Sequence, residues 1–197
     1  MREDVLVGVR FSSSSAKMAR TATVYRFQLE LSDIDRGVYE SLDFRVAQHP
    51  SEGEDRLVAR VLAYALLYEE RLEFGRGLSD VNEPALVVRD LTGQLVHWID
   101  VGTPSAERIH AASKKARKVT IVCHKGESAL AREMGKKHVH HAEEISVIHL
   151  DAALVTQLAR ALERNAQWML VHNDSEVTVT IGDASFAGEA TRASLPR

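Results

Sequence analysis

The chain predicts an α/β (α+β) domain with a mixed central sheet flanked by helices. Three stretches carry that expectation. Residues 23–31 alternate strictly between apolar and polar, the period of a half-buried strand. Residues 52–68 repeat apolar side chains every three to four positions, as a helix with one buried face does. Residues 119–123, Val-Thr-Ile-Val-Cys, are almost continuously apolar, which suits a strand covered on both faces.

The elements follow in order. Residues 1–17 have no period, and the serine run 12–15 adds none, so they are expected to be a disordered extension. The strand at 23–31 puts Thr23, Tyr25, Phe27, Leu29 and Leu31 on one face. Ser32-Asp-Ile-Asp-Arg-Gly37 ends it, and residues 42–47 read as an antiparallel partner. His49-Pro-Ser-Glu52 then opens the best helix, with Ser51 as N-cap and Glu54 as its capping-box partner. Leu57, Val58, Val61, Leu62, Ala65 and Leu66 make its buried face. After a short apolar segment at 72–74 comes a hairpin, residues 83–89 and 95–101, whose turn Asp90-Leu-Thr-Gly-Gln94 lets Gly93 adopt positive φ.

Thr103-Pro104 starts a second helix running to about Arg117. Residues 129–137 are weakly helical, 145–150 a strand, and 151–164 a helix capped by Asp151. Two strands, 167–171 and 176–181, flank a hairpin turn, and the pattern stops after Gly182. The expectation is one domain over 18–183 with a disordered tail at 184–197. A hairpin feeding a helical crossover into a buried strand makes the sheet mixed.

Composition narrows the function. With 197 residues and 45% of them hydrophobic, the chain can bury a sizeable core. A net charge of −3 announces no polyanion partner for the molecule as a whole. A single cysteine, Cys123, excludes an intrachain disulfide and suits a reducing cytoplasm. The N-terminal apolar run is too short for a secretory leader, and no window has the ~18 apolar residues of a membrane span.

The chemistry centres on the hairpin. Folding about Thr92 brings Glu83 and Asp100 to the same open end, and a hard divalent cation such as Mg²⁺ or Mn²⁺ needs carboxylates held that way. A Thr92-centred register puts the two on opposite faces; a one-residue slip restores a shared face. An acid before Pro84 could equally just stop the strand, and Asp100 could cap the turn into Gly102. His138-Val-His-His141 with Glu143 and Glu144 lacks the helical spacing of a zinc motif and reads as a solvated connector. Arg108, Lys114, Lys115, Arg117 and Lys118 form an acid-free basic stretch over 108–118, suited to phosphate backbones or to a helix C-terminus.

The segments Tyr25-Arg-Phe-Gln-Leu-Glu-Leu-Ser-Asp-Ile-Asp-Arg36, His49-Pro-Ser-Glu52, Leu72-Glu-Phe74, Glu83-Pro-Ala-Leu86 and Trp98-Ile-Asp-Val-Gly102 resemble those of the YaeQ family of small bacterial proteins, over about residues 18–183. That resemblance implies a variant of the restriction-endonuclease-like PD-(D/E)XK nuclease fold. It also implies a site of one helix carboxylate, a strand carboxylate, and an acid and a lysine two residues apart on the next strand. Glu83 and Asp100 would be the strand acids, and Glu52 or Asp55 the helix acid completing the metal set. The resemblance favours Glu52, whereas periodicity favours Glu54 and Asp55. The lysine position is Gly102, which can neither orient water nor stabilise charge on phosphate. Arg108, one turn into the second helix, is near enough to substitute as the cation, with Arg56 near the start of the first helix a second candidate; an arginine clamps phosphate better than it acts as a base. Two readings follow: a Mg²⁺- or Mn²⁺-dependent phosphodiesterase or nuclease acting through Glu83, Asp100 and Arg108, or a non-catalytic module binding nucleic acid or protein.

Overall fold

The computed structural model describes residues 22–76, 82–134 and 142–195. Among these, ten strands join in one sheet in the order β2-β1-β8-β9-β10-β7-β6-β5-β4-β3. The strands are β1 (Thr23–Asp33), β2 (Val38–Gln48), β3 (Leu72–Phe74), β4 (Leu86–Arg89), β5 (Leu95–Val101), β6 (Lys118–Cys123), β7 (Ser146–Leu150), β8 (Asn165–Asn173), β9 (Glu176–Ile181) and β10 (Ala184–Ser194). The helices are α1 (Glu54–Leu66), α2 (Ala106–Lys115), α3 (Glu127–Met134) and α4 (Ala152–Arg160). Strands β5, β6 and β7 are parallel, as are β1 and β8; the remaining pairs are antiparallel. The expected mixed sheet with flanking helices is therefore the architecture observed.

The strand patterns follow from what covers each face. One core spans the sheet beneath α1 and α4. It takes the alternate residues Tyr25, Phe27, Leu29 and Leu31 of β1, along with Ile99, Val122 and Ile148. A second core lies on the other face of β5, β6 and β7 only, under α2 and α3, and holds Trp98, Ile109, Ile121, Leu130 and Val147. Strand β6 is thus buried on both sides. The outward residues Arg26, Gln28 and Glu30 of β1 are exposed. Burying a side chain such as Phe27 or Ile121 contributes roughly 1.5–3 kcal/mol relative to leaving it in water.

Three expectations are corrected. The tail expected to be disordered forms β10, which joins the two halves of the sheet by pairing with β9 through residues 184–189 and with β7 through 190–194. Apart from Phe186, its side chains are small or polar, and only Ala190 is buried, so backbone bonding rather than an apolar stripe makes the strand. A Cβ on Gly188 would come within 2.7 Å of Leu154 Cβ, so α4 crosses β10 where only glycine fits.

The other two concern helix starts. Helix α1 begins with Gly53 as N-cap and no side-chain cap bond; Ser51 Oγ instead bonds His49 Nδ1 at 2.7 Å. Helix α2 is capped by Ser105, whose Oγ accepts from the Arg108 amide, two residues beyond the expected Thr103. The Asp151 cap of α4 is as expected, accepting from the Ala153 amide at 2.7 Å. The proposed extension at 1–17 and the histidines 138–141 lie outside the described residues.

Candidate functional site

Strands β4 and β5 pair with Leu86 opposite Ile99, one residue away from a Thr92-centred register, and a bulge at Val88/Arg89 absorbs the difference. The slip that would put Glu83 and Asp100 on one face has occurred, and the two carboxylates are held by different partners. Glu83 precedes β4, and its Oε2 accepts from the Arg76 amide at 3.3 Å. Asp100 is buried and held from two directions. Arg108 bonds it bidentately, Nε to Oδ2 and Nη2 to Oδ1, both at 2.7 Å, and Trp98 Nε1 donates to Oδ2 at 2.9 Å.

Arg108 also bonds the Glu83 carbonyl at 2.7 Å and stacks over Trp98, 5.4 Å from the ring centre. The structure therefore brings Asp100 and Arg108 together, with the backbone rather than the carboxylate of Glu83. Both carboxylate oxygens of Asp100 face donors, the arrangement of a structural ion pair. Gly102, where the resemblance leads to the expectation of a lysine, has φ +106° and donates its amide to the Val122 carbonyl at 2.9 Å. A side chain there would be strained, so the backbone itself favours glycine at this position.

The helix acids diverge. Glu52 is buried beneath α1, where Arg60 Nη1 donates to both its oxygens at 3.1 and 2.8 Å, Arg56 Nη1 pairs with Oε1, and the His49 amide donates to Oε2 at 3.3 Å. Burial pulls the Arg60 guanidinium below the ordinary arginine value, and Glu52 opposes that shift. Asp55 is exposed in the first turn of α1. It adds its charge to the field at buried His124, just past β6, whose neutral form is favoured mainly by burial and then by Lys125. Among the described residues, Glu52, Asp55, Glu83 and Asp100 form no set of three converging ligand atoms.

One such set exists elsewhere, and nothing in the sequence pattern points to it. Asp33 at the end of β1, Asp35 in the turn to β2 and His172 on β8 each offer a ligand atom within 4.8 Å of the others. The parallel pairing of β1 and β8 puts Asp33 opposite His172. The nearest signal in the sequence is Ser32-Asp-Ile-Asp-Arg36, which reads only as a strand end. No local pattern links it to a histidine 139 residues on, a separation that the bond from the Asp174 amide to Asp35 also spans.

Cations gather at the C-terminal end of α2. Lys114, Lys115, Arg117 and Lys118 are exposed, and Lys114 and Arg117 border a cavity of about 330 Å³ with His110, Ser113, Glu144 and Ile145. Lys115 Nζ lies 5.8 Å from the Trp98 ring centre, so the basic face begins beside the Asp100–Arg108 pair. No helix among the described residues is long and apolar enough to cross a membrane.

The family model described as "YaeQ protein" matches residues 18–189. The uncharacterised YaeQ proteins of Salmonella typhi and Escherichia coli K12 are each 30% identical, over 148 and 149 residues respectively. Each alignment covers 75% of this chain and 82% of the relative. The YaeQ crystal structure from Xanthomonas axonopodis pv. citri superposes with TM-score 0.81 at 36% identity, over 89% of this chain and all of that one. That from Pseudomonas syringae gives 0.78 at 34%, over 87% and 95%. Extensive matches in sequence and in fold agree, and the chain belongs to the YaeQ family.

Proposed function

We propose that this protein is a non-catalytic, nucleic-acid-binding variant of the PD-(D/E)XK frame. The frame is supported by the order α1, then β3, β4 and β5, then α2 and β6, with the hairpin in the middle and the crossover into a parallel strand. The observation that carries the non-catalytic reading is the bidentate Arg108 bond to Asp100, reinforced by Trp98. A carboxylate whose oxygens already serve a guanidinium and an indole, with no second and third ligand atom converging on it among the described residues, makes a poor site for Mg²⁺ or Mn²⁺. Without the metal and the lysine, nothing in this hairpin lowers the pKa of an attacking water or stabilises charge on phosphate.

The binding half of the reading rests on Lys114, Lys115 and Arg117, exposed at the C-terminal end of α2 in a chain whose net charge is −3. Phosphate backbones are bound by such local clusters, with affinity that falls steeply with salt. The test is fluorescence anisotropy with labelled 20-nucleotide single- and double-stranded DNA across a salt series. Lys114→Glu combined with Arg117→Glu should weaken binding and lower the salt slope by about one for each phosphate no longer neutralised. Equal affinity in that double variant, or no binding by the parent chain, would overturn the reading. Capture of DNA only through residues outside this face would do the same.

A further inference from the structure

We propose that Asp33, Asp35 and His172 form a mononuclear site for a divalent first-row transition metal such as Zn²⁺ or Mn²⁺. The site does not depend on the function proposed above. Three strand and turn segments build it: β1 supplies Asp33 at its last position, the following turn supplies Asp35, and β8 supplies His172 from the strand beside β1. His172 is 4% exposed, and its Nδ1 lies 3.2 Å from Asp33 Oδ1 and 3.9 Å from Asp35 Oδ2. Ligand atoms on one ion at ~2.1 Å stand about 3.0–3.4 Å apart, so Asp33 and His172 already have ligand spacing and Asp35 completes the set by moving inward.

The decisive feature is what surrounds the buried Nδ1 of His172. It lies 3.2 Å from one carboxylate and 3.9 Å from a second, without a well-formed hydrogen bond to either. A buried nitrogen shared in this way between two carboxylates stands where a ligand atom would.

The surroundings fit a cation. Arg36 bonds Asp33 Oδ2 through Nε at 2.6 Å, and its amide donates to Oδ1 at 3.1 Å. Its remaining guanidinium nitrogens bond the Tyr68 and Ala65 carbonyls at the C-terminus of α1, where the helix end is negative. Arg36 thus bonds Asp33 and a helix end, while the second carboxylate, Asp35, forms no ion pair with an arginine or lysine among the described residues. Hydrogen-bonded carboxylates of this kind orient metal ligands. The Asp174 amide fixes Asp35 Oδ1 at 2.9 Å, leaving Oδ2 on the side of His172. One imidazole with two carboxylates suits zinc or manganese better than Mg²⁺, which prefers oxygen alone. Asp35 is partly exposed, so water can take the remaining positions.

The experiment is a calorimetric titration of the full chain with Zn²⁺, paralleled by Co²⁺ with its visible absorption. The full chain also carries histidines 138, 140 and 141, so a variant with all three changed to Ala is titrated alongside. One ion per chain at this site should bind equally well in the parent and in that variant. Asp35→Asn and His172→Gln should each weaken it about tenfold or more, with unchanged circular dichroism. Asp35 is on the surface, so Asp35→Asn decides the matter even if His172→Gln fails to fold. No ion bound, undiminished affinity in Asp35→Asn, or loss in the triple-histidine variant would each overturn the proposal.

Discussion

Asp33 and Asp100 are both buried carboxylates, and each is bonded by an arginine a few residues further along the chain, yet they end in opposite situations. Asp100 lies on the doubly covered half of the sheet, where α2 returns over β5 and delivers Arg108 to both oxygens while Trp98 takes the remaining direction. Asp33 lies on the half covered on one face only. Arg36 reaches across to the end of α1, and an imidazole and a second carboxylate converge from the other side. Burial and an acidic label are common to both. What separates a structural ion pair from a ligand set is whether further ligand atoms converge on the carboxylate, as Asp35 and His172 do on Asp33. Burial lifts the Asp33 carboxyl, and the Arg36 bonds, with His172 adding to them, outweigh that and hold it below the ordinary carboxylate range, so it stays charged at neutral pH.

The comparison can be broken by removing one partner at a time. The largest effect is expected at a third cluster of the same kind. Glu52→Ala leaves Arg60, 4% exposed, without its carboxylate, and should cost about 3–5 kcal/mol in urea unfolding. A loss below about 1 kcal/mol would mean that Arg60 finds water, and that burial does not define these clusters.

Asp100→Asn should cost less, roughly 2–3 kcal/mol, because a quarter of the Arg108 side chain is exposed and one oxygen acceptor survives. It should leave Mg²⁺ and Mn²⁺ affinity unchanged. If the variant instead loses affinity for those ions, Asp100 is a metal ligand after all and the contrast with Asp33 collapses.

Gly102→Lys, which places a lysine where the proposed frame would carry one, should create no metal-dependent cleavage and cost about 1 kcal/mol for a side chain at φ +106°. Cleavage by that variant would show that the lysine alone had been missing.

The smallest effect is in pH. His97 and His124 are both pushed below the ordinary imidazole value of 6.5, chiefly by burial. The unfolded chain therefore takes up their protons first as pH falls. Stability should be complete above about pH 6.5 and decline below it, through the lowered folded values. His124→Asn should flatten the fall of melting temperature between about pH 6.5 and 5. A parent protein with a level profile over that range would contradict the sign.

How far the sequence can be read follows the same division of the sheet. On the half with one covered face, alternation in β1 names its buried residues one by one. On the doubly covered half, the run at 119–123 announces β6. Strand β10 is illegible because Gly188 and its small neighbours answer to the passage of α4 rather than to a period of their own. The start of α1 misleads because Ser51 bonds His49 instead of capping, while buried Glu52 is fixed by Arg56 and Arg60. At the candidate site, Asp100 and Arg108 can be picked out singly. That they neutralise each other depends on a register shift and a helix approach that no local pattern encodes. The Asp33–His172 pair is further out of reach, since its members meet only through the parallel pairing of β1 with β8.

The central claim, a nuclease-like frame that holds nucleic acid without cutting it, is tested most directly by one time course. A fluorescent single-stranded oligonucleotide is mixed with the full chain in low salt with Mn²⁺, and its anisotropy is followed for hours. The account requires anisotropy to rise on mixing and then stay constant. A rise followed by decay to below the free-oligonucleotide value would mean cleavage, and no rise at all would mean that the basic face of α2 binds no phosphate backbone; either result contradicts it.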